Sequence, residues 1–180
     1  GVELAKAPQD LTVLQQLLWD LKPATIFEIG SYAAGSALWV SDVMKMYGFK
    51  THIYSLDIDL CLVRELAKGD ENISFIEGNA SEIQNAFSDR LLKVNNTKIY
   101  LYVSCWRDHK LSIFLTSSYL AVTVCVEDAT PHCATDTGMG LLEDMGYETW
   151  GDVKLNAMKE FISKHSNRYM VDTYYNDFFG

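Results

Sequence analysis

The sequence predicts an α/β fold, a doubly wound and mostly parallel sheet flanked by helices. Three observations carry this expectation. Short apolar, β-rich runs alternate with amphipathic segments along the chain; a glycine turn follows the first such run at once; and acidic or amide residues recur where the runs end. Strands separated by helices imply parallel pairing with right-handed crossovers. Ligands of such sheets sit beyond the carboxyl ends of the strands, where these polar residues fall.

Taken in order, residues 8–20 carry Leu11, Val13, Leu14, Leu17 and Leu18 at three- and four-residue intervals, with Pro8 near the start and Pro23 just past the end. That spacing predicts an amphipathic helix. Thr25 to Ile29 reads as a short buried strand, and the chain then turns through Gly30-Ser31-Tyr32-Ala33-Ala34-Gly35-Ser36. Glycine admits backbone conformations and close approaches that a side chain would block, and the next helix N-terminus presents unpaired N–H groups, so such a turn can hold a nucleotide-like ligand. Ala37, Val40, Met44 and Tyr47 mark a helix from Ser36, which Gly48 closes.

A second strand spans His52 to Asp59 and leads into a helix predicted from about Leu60 to Lys68; Asp57 lies 27 residues after Gly30. A third strand, Ile73 to Ile76, enters Glu77-Gly78-Asn79-Ala80, and Ser81 with Gln84 is placed to form a capping box for a helix bearing Ile83, Ala86, Phe87 and Leu91. Lys98 to Val103 reads as a fourth strand, followed by Ser104 to His109 and a short helix from about Lys110 to Thr116. Tyr119 to Val126 reads as a fifth strand, ending in Glu127-Asp128. Residues 129–151, with Pro131, His132, Cys133 and four glycines, read as a loop, and a loop of that length in a compact domain is usually functional or mobile. Val153, Ala157, Met158, Phe161 and Ile162 predict a late helix, and Arg168 to Thr173 a sixth strand. The aromatic-rich end at Tyr174 to Gly180 suggests that the natural protein continues.

A chain of 180 residues with 48% apolar content holds one domain with a real core, and residues 1–180 read as a single domain. The net charge is −9 and the fifteen basic residues are scattered, which argues against a nucleic-acid partner. No apolar run approaches the roughly 20 residues that span a bilayer, and no signal-peptide pattern opens the chain, so a membrane partner is not expected either. The cysteines Cys61, Cys105, Cys125 and Cys133 lack CxxC spacing and read as buried free thiols. A cytoplasmic location is the expectation, although N-x-S/T triplets at Asn72, Asn79 and Asn95 leave a secretory one open. A homo-oligomer is equally open.

With these elements placed, the sequence resembles the class I S-adenosylmethionine-dependent methyltransferases, and among them the cephalosporin hydroxylase-like, rhamnosyl O-methyltransferase-like group. The resemblance runs from Lys6-Ala7-Pro8-Gln9-Asp10 through Lys22-Pro23-Ala24-Thr25-Ile26-Phe27-Glu28-Ile29-Gly30 and Gly35-Ser36-Ala37-Leu38 to Val126-Glu127-Asp128-Ala129-Thr130. It implies a Rossmann-like class I fold, truncated at the C-terminus, and transfer of a methyl group from S-adenosylmethionine to oxygen of a small hydroxylated acceptor. It further implies that Glu28, Gly30, Ser31, Gly35 and Ser36 line the methionine part of the cofactor, that Asp57 accepts from the ribose hydroxyls, and that Asn79 and Ala80 lie near the adenine. Asn79 departs from the acid common there, yet an amide can still bond a base edge.

Members of the group can hold a divalent cation on carboxylates, and Mg²⁺ prefers such oxygen ligands. Glu127 and Asp128 match one part of that set. The other part is displaced here, because Ser104 and Cys105 stand where an acid is expected and Asp108-His109 comes several residues later. Asp108 is the remaining carboxylate for the metal, and Asp108 with His109 form the catalytic pair, His109 as general base on a substrate hydroxyl. Trp106 and Trp150 are candidates for an acceptor-pocket wall, against a plain core role. Two rivals stand beside this reading. The first is a methyltransferase-like binding domain without catalysis, favoured by Ser104-Cys105. The second is a nicotinamide-dependent oxidoreductase, which the glycine turn alone permits, although the chain lacks a G-x-G-x-x-G run.

Overall fold

A computed structural model of the chain describes residues 1–4, 6–82, 86–87, 99–103, 122–126 and 152–176. Among the described residues five parallel strands form one sheet: β1 (Thr25–Ile29), β2 (His52–Asp57), β3 (Ile73–Glu77), β4 (Ile99–Val103) and β5 (Val122–Val126), in the order β3-β2-β1-β4-β5. The α-helices among the described residues are α1 (Pro8–Leu21), α2 (Gly35–Met46), α3 (Glu65–Lys68), α4 (Asp152–His165) and a single turn, α5 (Thr173–Asn176). From β1 the order runs outward through β2 and β3 on one side and through β4 and β5 on the other. The crevice between β1 and β4 is therefore the topological switch point, where open α/β sheets bind ligands.

Helix α1 begins with Pro8, whose fixed φ suits a first helical position, and ends at Lys22 in a left-handed conformation whose N–H donates to the Leu18 carbonyl at 2.9 Å. Its Leu14, Leu17 and Leu18 are buried against Ile26, Ile53, Val40 and Met44. Each such fully buried aliphatic side chain contributes about 1.5–3 kcal/mol. On the opposite face of the sheet Phe27 meets Phe87 edge-on, with ring centroids 4.8 Å apart, and stacks on Tyr54 at 5.6 Å. Register places Ile26 beside Ile53 and Glu28 beside Ser55. Side chains alternate along a strand, so Glu28 and Ser55 share the face of Ile26 and Ile53, the face on which α2 packs.

Three expectations require correction. Residues 60–64 are not helical, and only Glu65–Lys68 close a helix. The cause is side-chain competition for the backbone: Asp57 accepts from its neighbour Ile58 N at 2.7 Å, and Asp59 from Cys61 N at 2.8 Å, which fixes turns instead. This segment then folds back, with Val63 and Ala67 packed on Ala34 beneath the glycine turn. Arg168 to Thr173 do not form a strand: residues 166–168 turn, residues 169–172 carry no regular structure, and Thr173 begins α5. Its aromatic residues dock on α1 instead, where Tyr174 Oη accepts from Gln16 Nε2 at 2.8 Å and Tyr175 Oη donates to Asp20. Cys61 is exposed rather than buried.

Other expectations match or fall elsewhere. The late helix spans 152–165, slightly longer than expected. After β3 a 3₁₀ turn, Ala80–Glu82, stands where the capping box was expected, and the rest of that helix, the helix at 110–116 and the loop 129–151 lie outside the described residues, apart from Ala86 and Phe87. Among the described residues no helix is long and apolar enough to cross a membrane.

Candidate functional site

The carboxyl ends of β1, β2 and β3 meet along one edge, and the register there pairs Ile29 with Leu56 and Asp57 with Glu77. The glycine turn leaves β1 at Gly30, whose φ is +98° and whose N–H donates to the Leu56 carbonyl at 2.8 Å. Such a φ lies in the region that glycine alone enters without strain. Two further residues of the turn, Tyr32 and Ala34, also have positive φ, +47° and +67°. Each costs about 1–2 kcal/mol for a residue with a side chain. Strain of this kind persists where surrounding contacts over-determine the backbone, and it concentrates at ligand sites.

Those contacts come from two carboxylates. Asp57, at the end of β2, accepts from Ser31 N at 2.8 Å and Tyr32 N at 2.9 Å with Oδ2, while its backbone carbonyl accepts from Gly78 N at 2.8 Å. One aspartate thus ties the glycine turn to the turn after β3. Glu28 is buried at 2% exposure, and its two oxygens accept from Ser36 Oγ of α2 and Ser55 Oγ of β2. Ser55, itself without exposure, also lies 2.6 Å from Ser31 Oγ. Isolated buried carboxylates are costly, and hydroxyl donors on both oxygens are what make Glu28 tolerable here.

Helix α2 starts directly from this turn, and its N-cap residue Ala34 supplies no side-chain bond. The cap side chain therefore satisfies none of the first-turn backbone donors of α2, and helix N-termini of this kind favour anionic groups. Gly35 answers to a different neighbour. A Cβ there would lie 1.9 Å from the Glu3 carbonyl oxygen and 2.7 Å from its carbon, so the N-terminal segment crosses the start of α2 at a distance only glycine allows.

The expected cofactor residues Glu28, Gly30, Ser31, Gly35, Ser36 and Asp57 thus form one connected cluster. Asn79 and Ala80 follow Gly78 on the same edge, with Asn79 exposed and its carbonyl accepting from Glu82 N at 2.9 Å. The catalytic pair Asp108 and His109, the metal carboxylates Glu127 and Asp128, and Ser104, Cys105, Trp106, His132 and Trp150 lie outside the described residues. Among the described residues no group of three or more His, Cys, Asp or Glu side chains could hold a metal ion.

Two participants escape a reading of the sequence. Ser55 is one: its signal, a small hydroxyl residue in a short strand two residues before Asp57, gains meaning only from the register with Glu28. Asp70 is the other. Its carboxylate accepts from Ser41 Oγ at 2.8 Å, Lys45 Nζ at 2.6 Å and Asn72 N at 3.0 Å, pinning α2 to the turn before β3. Burial pushes this carboxyl up, but the Lys45, Asn72 and Ser41 donors together outweigh it and hold Asp70 below the ordinary carboxylate value. Cys61 donates its thiol to Asp59 at 3.2 Å, and that bond pushes the thiol above its ordinary value, away from reactivity.

A family profile described as rhamnosyl O-methyltransferase/CmcI matches residues 1–180. A rhamnosyl O-methyltransferase of Mycobacterium tuberculosis is 21% identical over 96 residues, 53% of this chain and 38% of that protein. The chain thus spans well under half the length of the curated relatives it matches. A solved structure of CmcI with Mg and SAM superposes with a TM-score of 0.53 at 24% identity, over 64% of this chain and 47% of that one. The SAH-bound methyltransferase PaMTH1 of Podospora anserina gives 0.61 at 16% identity, over 91% and 71%. At these identities the structural likeness establishes the fold, that of the class I methyltransferases.

Proposed function

The chain belongs to the rhamnosyl O-methyltransferase/CmcI family, and from that premise we propose that it is the cofactor-binding core of an S-adenosylmethionine-dependent O-methyltransferase acting on a small hydroxylated acceptor. The observation that carries the reading is the cluster at the switch point: a strained glycine turn fixed by Asp57 from one side and by buried Glu28 from the other. Its donor set fits the cofactor. Asp57 offers acceptors for a ribose diol, α2 offers amides for a carboxylate, and the acidic edge suits a cation.

S-adenosylmethionine supplies an activated methyl group. An acceptor oxygen aligned with that methyl carbon would form the new carbon–oxygen bond as the carbon–sulfur bond breaks and its electron pair goes to sulfur, with S-adenosylhomocysteine as the displaced product. The protein's part is to align the acceptor, exclude water and take the hydroxyl proton. In this reading Asp57 and the turn hold the cofactor, and His109 beside Asp108 takes the proton. Asp108, Glu127 and Asp128 are hard oxygen donors of the kind Mg²⁺ accepts, and the same three would hold that ion.

Calorimetric titration with S-adenosylmethionine and with NAD tests the reading. Binding of the first alone is expected, and binding of NAD alone would turn the assignment toward the oxidoreductase. Cofactor binding without methylation of any hydroxylated acceptor would favour a binding domain. Mg²⁺ should raise the melting temperature of the wild type and leave Glu127→Ala unmoved; equal behaviour of the two removes the metal from the proposal.

A further inference from the structure

The hydroxyl chain beneath the glycine turn has a direction. Ser55 owns one hydroxyl hydrogen, and it goes to Glu28 Oε2. A carboxylate accepts and cannot return it, so the hydrogen in the 2.6 Å contact between Ser31 Oγ and Ser55 Oγ comes from Ser31. Ser36 feeds the other Glu28 oxygen from the first turn of α2. The order is therefore Ser31 to Ser55 to Glu28, with Ser36 entering from the opposite side. The links from Ser31 through Ser55 to Glu28 are buried, with Glu28 and Ser31 at 2% exposure and Ser55 at none, so water does not substitute for a lost member of that run, while Ser36 is half-buried.

We propose that Ser55 is a positioning residue for the methionine half of the cofactor site. It sits one strand away from the glycine turn, and it holds both the Ser31 side chain and the Glu28 carboxylate in single orientations. Asp57, two residues on along β2, fixes the same turn through the Ser31 and Tyr32 amides. Strand β2 thus controls the turn twice, by a hydroxyl beneath it and a carboxylate beside it. The nucleoside half of the site depends on Asp57 and the Asn79 turn, and Ser55 bonds to neither side chain. This division rests on the cofactor reading given above and goes beyond it in assigning separate supports to the two halves.

The test compares two ligands. S-adenosylhomocysteine carries the amino-acid moiety, and 5′-methylthioadenosine lacks it. Ser55→Ala should weaken the first by about tenfold or more, the scale of one lost hydroxyl bond to a buried carboxylate, while the second stays within about twofold. Ser55→Thr, which restores a hydroxyl, should recover much of the loss. A merely structural role would move both ligands together, so equal weakening of the two, or no weakening of either, overturns the assignment. Where Ser55→Ala fails to fold by circular dichroism, Ser55→Cys, nearly isosteric with a weaker donor, carries the same comparison, and the same outcomes support or overturn the assignment. Absence of binding by the wild type to both ligands would instead overturn the cofactor reading itself, and this division with it.

Discussion

Replacing Asp57 by asparagine separates the two duties that this residue carries. In the structure Oδ2 takes the Ser31 and Tyr32 amides at 2.8 and 2.9 Å, and Oδ1 takes Ile58 N at 2.7 Å. An asparagine that keeps its oxygen at the Oδ2 position preserves two of the three bonds, but as neutral ones. A bond to a charged acceptor is worth about 1.5–3 kcal/mol and a neutral one about 0.5–1.5, so each surviving bond loses about 1 kcal/mol. The third position now turns an NH₂ toward the Ile58 N–H, and because Ile58 is exposed, water takes over that donor at small cost. The sum is about 2 kcal/mol. For a chain of this size that corresponds to a fall in melting temperature of about 4–8 °C. If the carboxylate also receives the ribose hydroxyls, S-adenosylhomocysteine should bind about tenfold or more weakly, measured calorimetrically below the melting range. A lowered melting temperature with unchanged affinity would refute the ribose role and leave the turn-fixing role intact. An unchanged melting temperature would refute the account of the turn.

Gly35→Ala puts a methyl group into the Glu3 backbone, so residues 1–4 must move off α2; trypsin should then cut after Lys6 faster, and an unchanged cleavage rate would show that the close approach does not hold in solution. Asp70→Asn should destabilise the protein by about 1–3 kcal/mol at pH 7, read by urea unfolding, because it replaces a charge-assisted hub. The sign of its pH dependence follows from the lowered pKa. Stability from Asp70 is present in full above the ordinary value of 3.8 and is lost as pH falls through the lower folded value, so the gap between wild type and variant should close on the acid side of about pH 4. A gap that persists unchanged to pH 2 would contradict the assignment.

Much of the architecture could be read from local pattern. The helix at 8–21 follows from leucine spacing bounded by Pro8 and Pro23, and the first three strands follow from short β-rich runs, since each of these signals acts within a few residues. The glycine turn and the acid at Asp57 were legible for the same reason. Elements governed by competition or by distant partners were not. Residues 60–64 carry a helical pattern, yet Asp57 and Asp59 bond the backbone first; residues 168–173 carry strand-forming side chains, yet the aromatics just beyond them find α1 rather than a neighbouring strand.

The sequence by itself thus determined the elements, their alternation and the residue types at the strand ends, because propensity, periodicity and turn chemistry are properties of neighbours along the chain. Tertiary structure alone decided what those residues do to one another. Glu28 is expected to line a ligand by family resemblance; what the fold adds is that it is a buried acceptor, because register sets Ser55 beside it and α2 brings Ser36 to its other oxygen. Gly35 is expected at the cofactor, and the fold adds that its missing side chain also makes room for Glu3. Both outcomes depend on groups brought together across 27 and 32 positions of chain, and only packing can specify contacts at that separation.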